Sequence, residues 1–122
     1  MKIKKILVVD DEETISSYLK RKLGQLGYAV IIASDGEQAL ELATSEKPDI
    51  ILLDVKLPKL NGHEVCRRLK SNPITSKTPV LMLSAKSQAN EIEEGLASGA
   101  ELYLTKPIGF PDILGKIRLF ES

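Results

Sequence analysis

Apolar positions along this chain fall into two alternating patterns. Short continuous runs, Ile6-Leu7-Val8-Val9, Ile50-Ile51-Leu52-Leu53 and Val80-Leu81-Met82-Leu83, lack the alternation of a half-exposed strand. They read as strands buried on both faces, as in a parallel sheet. Tyr28 to Ala33 and Leu102-Tyr103-Leu104 supply two further strands. Between the runs, apolar residues recur at helical spacing. Ile15, Leu19, Leu23 and Leu26 predict one inward stripe, and Ala39, Leu40 and Ala43 a second. Val65, Cys66 and Leu69 make a third, Ile92 and Leu96 a fourth, and Ile113, Ile117 and Phe120 a fifth. Gly27 and Ser98-Gly99 stop helices, and Pro111 suits the first turn of the last one.

Strand and helix alternate five times, which predicts an α/β domain with a five-stranded parallel sheet and helices on both faces. Right-handed crossovers bring the carboxyl ends of all strands to one edge. That edge is where open α/β sheets bind ligands.

The residues that end the strands are polar. Asp10-Asp11 follows the first, Asp54 the third, Ser84 the fourth, and Thr105-Lys106-Pro107 the fifth. A carboxylate at the end of a buried strand costs desolvation energy unless a cation or water meets it. Three carboxylates brought together repel one another, and a hard divalent cation, Mg²⁺ by preference with Mn²⁺ as a substitute, neutralises such an oxygen cluster. With Lys106 added, the formal charges cancel and leave room for a phosphoryl dianion. Asp54 could then attack phosphorus in line and form an acyl phosphate, with Ser84 hydrogen-bonding a phosphoryl oxygen.

Composition narrows the surroundings. At 122 residues, with 43% hydrophobic and 28% charged residues, the chain reads as one globular domain over 1–122. Lys+Arg and Asp+Glu both number 17, so no global field draws it to nucleic acid or to a membrane. No apolar run approaches the roughly 20 residues of a membrane span. The single Cys66 forms no internal disulfide and fits a reducing cytosol, so a soluble cytoplasmic location is expected. Cys66 itself reads as a small filler, and His63, the only histidine, as a surface residue. Asp35 follows an edge strand and stays outside the expected site, while Glu91, Glu93 and Glu94 read as a solvated helix face.

The stretches Ile6 to Glu12, Asp49 to Pro58 with Asn61-Gly62, Pro79 to Ala85 and Gly99 to Pro107 together resemble the receiver domains of two-component response regulators. The resemblance covers essentially the whole chain. It implies a flavodoxin-like (βα)5 fold with strand order 2-1-3-4-5, and phosphorylation of Asp54 by a histidine kinase or phosphotransfer protein. It implies Mg²⁺ held by Asp11, Asp54 and the backbone carbonyl of Lys56, with Asp10 acting through water. Ser84 and Lys106 match the family's hydroxyl and lysine. Tyr103 matches an aromatic that turns inward as the hydroxyl moves, although a simply packed tyrosine fits the position too. A cis peptide is implied at Lys106–Pro107.

Such a protein is a phosphorylation-operated switch, catalysing only its own phosphorylation and dephosphorylation. It signals to a downstream effector protein or output domain, without binding nucleic acid itself. The implied reporting face is residues 88–98, 101–104 and 112–120. Glu101 and Arg118 fit a dimer charge pattern there, but Leu102 stands where a second acid is expected. With the long Ser71–Pro79 loop, this favours a single-domain regulator over a receiver excised from a larger one. The competing reading is a phosphohydrolase of the haloacid-dehalogenase kind. It needs a second acid two residues after Asp54, where Lys56 stands, and a cap insertion. Finally, Lys56 and Lys86 are expected to overhang the mouth of the site and slow hydrolysis of the acyl phosphate.

Overall fold

The computed structural model describes residues 2–85 and 88–121. Five strands, β1 (Lys5–Val9), β2 (Ala29–Ala33), β3 (Ile50–Asp54), β4 (Val80–Ser84) and β5 (Leu102–Thr105), alternate with five helices. These are α1 (Glu13–Gln25), α2 (Gly36–Glu46), α3 (Gly62–Ser71), α4 (Ala89–Ala97) and α5 (Phe110–Arg118). The strands form one parallel sheet in the order β2-β1-β3-β4-β5, as expected.

Every residue of β3 and β4 is buried, which is why those runs carry no alternation. Successive side chains point to opposite faces and feed two cores. Leu7, Val9, Ile51, Leu53 and Met82 pack with Ala39 and Ala43 of α2 and Val65, Cys66 and Leu69 of α3. Ile6, Val8, Ile50, Leu52 and Leu81 pack on the other side with Leu19 and Leu23 of α1 and Ile113 and Ile117 of α5. Cys66 is a fully buried filler.

Several helix faces differ from expectation. Leu26 lies beyond the last turn of α1 and is 49% exposed, because Gly27 turns the chain there at φ 96°. Ser16 takes an inward place beside Leu19 and Leu23. In α4, Leu96 is exposed and Ile92 half-buried, while the buried position is Gly95. His63 is buried in the first turn of α3, not at the surface, and its Nδ1 has no hydrogen-bond partner among the described residues.

The Ser71–Pro79 connection is tied down at the edge opposite the polar strand ends. The Thr75 hydroxyl donates to the Leu69 carbonyl at 2.6 Å. Lys70 Nζ donates to the carbonyls of Thr78, at 2.8 Å, and Ser76, and to the Glu101 carboxylate, which also accepts the Val80 N–H. Glu101 is thus engaged within the fold, where the sequence pattern had placed it in a surface charge set. Lys70→Met keeps the stem but removes the donor, leaving a half-buried carboxylate and two carbonyls short of a partner. A loss of about 1.5–3 kcal/mol follows from hydrogen bonds to charged groups. Urea unfolding should show it as a lower midpoint at unchanged slope.

Candidate functional site

Asp54 is the last residue of β3, Ser84 the last of β4, and Asp10 and Lys106 each follow their strand by one position. The parallel registers carry all of them to one edge, with Asp54 opposite Leu83 and Ser84 opposite Thr105. The Lys106 N–H donates to the Ser84 carbonyl at 2.7 Å, which extends the β4–β5 ladder by one rung and fixes where the lysine emerges.

Asp10, Asp54 and Ser84 are buried, at 3%, 7% and 2% exposure, whereas Asp11 is open to solvent. One carboxylate oxygen from each of Asp10, Asp11 and Asp54 lies within 4.8 Å of the others. Lys106 Nζ sits 3.2 Å from Asp10 Oδ2 and 3.6 Å from Asp54 Oδ2. The other Asp10 oxygen accepts the Glu12 N–H at 2.9 Å. Asp54 Oδ1 accepts the Lys56 N–H at a long 3.4 Å.

Burial is the chief cause of a raised Asp54 pKa; Asp10 pushes the same way, and Lys106 pulls against both. For Lys106, burial disfavours the ammonium, yet the charges of Asp10 and Asp54 carry its pKa above the ordinary 10.5. Three carboxylates against one ammonium leave a formal excess of two negative charges. Hard anionic oxygens with that excess are a donor set suited to a divalent cation of the Mg²⁺ kind.

The site opens into a cleft of about 510 Å³, lined by Asp11, Glu12, Lys56, Leu57, Ser84 and Lys106 among others. The exposed side chain of Lys56 borders it as expected, whereas Lys86 lies outside the described residues. Glu12, which the sequence offered only as the end of the Ile6 to Glu12 stretch, is part of the lining. Its place next to Asp11 was the available signal.

The loop after Asp54 must double back tightly. The Gly62 N–H donates to the Val55 carbonyl at 2.7 Å, and a Cβ on Gly62 would sit 2.4 Å from the Asp54 carbonyl oxygen. Lys59 has φ 68°, and the Leu60 N–H reaches back to the Pro58 carbonyl at 2.7 Å, a tight three-residue turn. This loop rests on the start of α2, where a Cβ on Gly36 would meet the Leu60 carbonyl oxygen at 2.5 Å. Asp35 caps α2 through the Gln38 N–H and pairs with Lys59 at 3.6 Å. So Asp35 stays outside the cleft, as expected, but braces the loop that carries Lys56. Tyr103 is half-buried against the first core cluster and pairs across the ladder with Met82. The Lys106–Pro107 peptide is cis.

Residues 6–118 match the family model of the response regulator receiver domain. The chain belongs to that family. As a receiver domain it is 49% identical over 115 residues to the alkaline phosphatase synthesis transcriptional regulatory protein PhoP of Bacillus subtilis, covering 94% of this chain and 47% of that one. It is 42% identical to response regulator MprA of Mycolicibacterium vanbaalenii, covering 93% and 48%. The receiver thus spans about half the length of the curated relatives it matches. Among solved structures, chemotaxis protein CheY4 of Vibrio cholerae superposes with a TM-score of 0.90 at 32% identity, covering 96% and 98%. The BeF3-activated receiver domain of RstA from Klebsiella pneumoniae gives 0.88 at 28% identity, covering 95% and 97%. Among the described residues, no helix is long and apolar enough to cross a membrane.

Proposed function

We propose that this receiver accepts a phosphoryl group on Asp54 from the phosphohistidine of a kinase or phosphotransfer protein, in a Mg²⁺-dependent reaction. The observation that carries this is the buried Asp54 carboxylate, facing Lys106 at 3.6 Å inside the Asp10–Asp11–Asp54 cluster. An Asp54 oxygen forms the new bond to phosphorus as the phosphorus–nitrogen bond of the donor breaks, and the imidazole leaves with that electron pair. The Lys106 ammonium stabilises charge on the transferring group, and the Ser84 hydroxyl holds one of its oxygens. Asp11, Asp54 and the Lys56 carbonyl would hold the Mg²⁺, with Asp10 one water removed. The metal supplies further charge neutralisation at the phosphoryl group. The chemistry is confined to the protein's own phosphorylation and dephosphorylation.

Incubation with acetyl phosphate should yield a base-labile phosphoprotein in Mg²⁺ or Mn²⁺ and none in excess chelator. Equal incorporation in chelator would remove the metal from the reaction.

The output is a protein-contact surface over α4, β5 and α5, biased between two arrangements by the phosphoryl group. A second reading, in which this receiver works inside a larger regulator with its own output domain, is favoured by relatives of about twice its span, one of them named a transcriptional regulatory protein.

A further inference from the structure

Glycine is a poor helix former, so a glycine in the middle of a helix calls for a local reason. The receiver has helical glycines at positions 24 and 115 where an added Cβ would meet nothing within 4 Å. Gly95 is different. It is the buried residue of α4, and a Cβ there would lie 2.5 Å from Cδ2 and 2.7 Å from Cε2 of Tyr103, and 3.0 Å from Met82 Sδ. Unbonded carbons do not approach so closely, so an alanine helix and the ring cannot both keep these places.

The ring's position has a direction built into it. Met82 and Tyr103 are paired across β4 and β5, and Ser84 and Thr105 are the next pair on the same face of the sheet. The ring therefore lies between α4 and β4, on the face along which Ser84 stands two residues further on. A residue larger than glycine at position 95 displaces the ring from the place it shares with Met82, or moves α4 off it.

We propose that Gly95 is a positioning residue: it is the slot in α4 that admits the Tyr103 ring, and its lack of a side chain couples the β4–β5 strand ends to the surface of α4. This rests on the phosphoryl-switch reading above. Gly95 is part of neither the acidic cluster nor the cleft lining, so it acts through the groups it abuts, the Tyr103 ring foremost.

The test compares wild type, Gly95→Ala, Tyr103→Ala and the double variant by NMR, each with Mg²⁺ and with or without beryllofluoride. Wild type should show ring-proton contacts from Tyr103 to the Met82 methyl, and Gly95→Ala should lose them. On adding beryllofluoride, amides beside Asp54 should shift in both proteins. Those in 89–104 should shift at least twofold less in Gly95→Ala. In the Tyr103→Ala background, Gly95→Ala should change the response no further and should lower the thermal midpoint less than in wild type or raise it, because only the flexible Met82 side chain at 3.0 Å then opposes helix propensity. Retained ring contacts with a full response in Gly95→Ala overturn the proposal, as does an equal fall in midpoint in both backgrounds. Should Gly95→Ala fail to fold, a folded double variant supports the slot and an unfolded one overturns it. Wild type that does not respond to beryllofluoride overturns the switch reading instead, and the ring contacts still decide the slot.

Discussion

Asp54→Asn should accept no phosphoryl group and, in chelator, should unfold at a higher temperature than the wild type. The first half follows from the loss of the nucleophilic oxygen. The second follows from the electrostatics of the cluster. Asp54 has a folded-state pKa raised above its ordinary 3.8, chiefly by burial and further by Asp10, against the pull of Lys106. Such a carboxylate contributes stability below its unfolded pKa and loses it as pH rises through the folded one. At neutral pH the wild type therefore carries a cost that asparagine removes. The gap should close as pH falls through the raised value towards 3.8. Adding Mg²⁺ should narrow it too, because the acidic site of the wild type gains binding energy. Saturation at a hundredfold over the dissociation constant contributes about 2.7 kcal/mol. Thermal unfolding of both proteins across pH, with and without Mg²⁺, checks each sign. A destabilised Asp54→Asn in chelator would contradict the account of a strained acidic cluster.

The second large effect is expected at Gly62. An alanine there would place its Cβ 2.4 Å from the Asp54 carbonyl oxygen and 2.6 Å from the Val55 Cα. Both are backbone atoms of the strand end and cannot swing aside. Overpacking of this kind costs about 1–3 kcal/mol, and the strain falls on the segment joining Asp54 to the Lys56 carbonyl. Gly62→Ala should therefore lose stability and also bind Mg²⁺ more weakly by calorimetry. Gly115→Ala is the control, because its Cβ meets nothing and it sits in α5. It should leave Mg²⁺ affinity unchanged and stabilise by up to about 1 kcal/mol through helix propensity. Equal Mg²⁺ affinity in Gly62→Ala and wild type would show that the loop's return does not set the metal site.

The sheet and its polar edge were legible because buried parallel strands advertise themselves as unbroken aliphatic runs. Once those three runs and the two flanking strands were placed, chain direction alone carried Asp10, Asp54, Ser84 and Lys106 to one end. What stayed hidden was decided by partners distant in sequence. Periodicity put Leu96 inward, yet the Tyr103 ring fills the space under α4 and leaves room there only for Gly95. His63 looked like a polar surface residue, but the first turn of α3 packs it near Val55, Leu57 and the start of α4. Asp35 was placed only outside the site; its pairing with Lys59 depends on a loop more than twenty residues away. Glu101 fitted a surface charge pattern until Lys70, from the far end of α3, took it up.

The proposed phosphoacceptor is Asp54. The most direct test of that assignment is peptide mapping by mass spectrometry after phosphorylation with acetyl phosphate and Mg²⁺, with the acyl phosphate trapped by borohydride reduction. The account predicts a single modified residue, Asp54, in the wild type, and no modified peptide in Asp54→Asn. Modification at Asp10 or Asp11, or undiminished modification in Asp54→Asn, would contradict it.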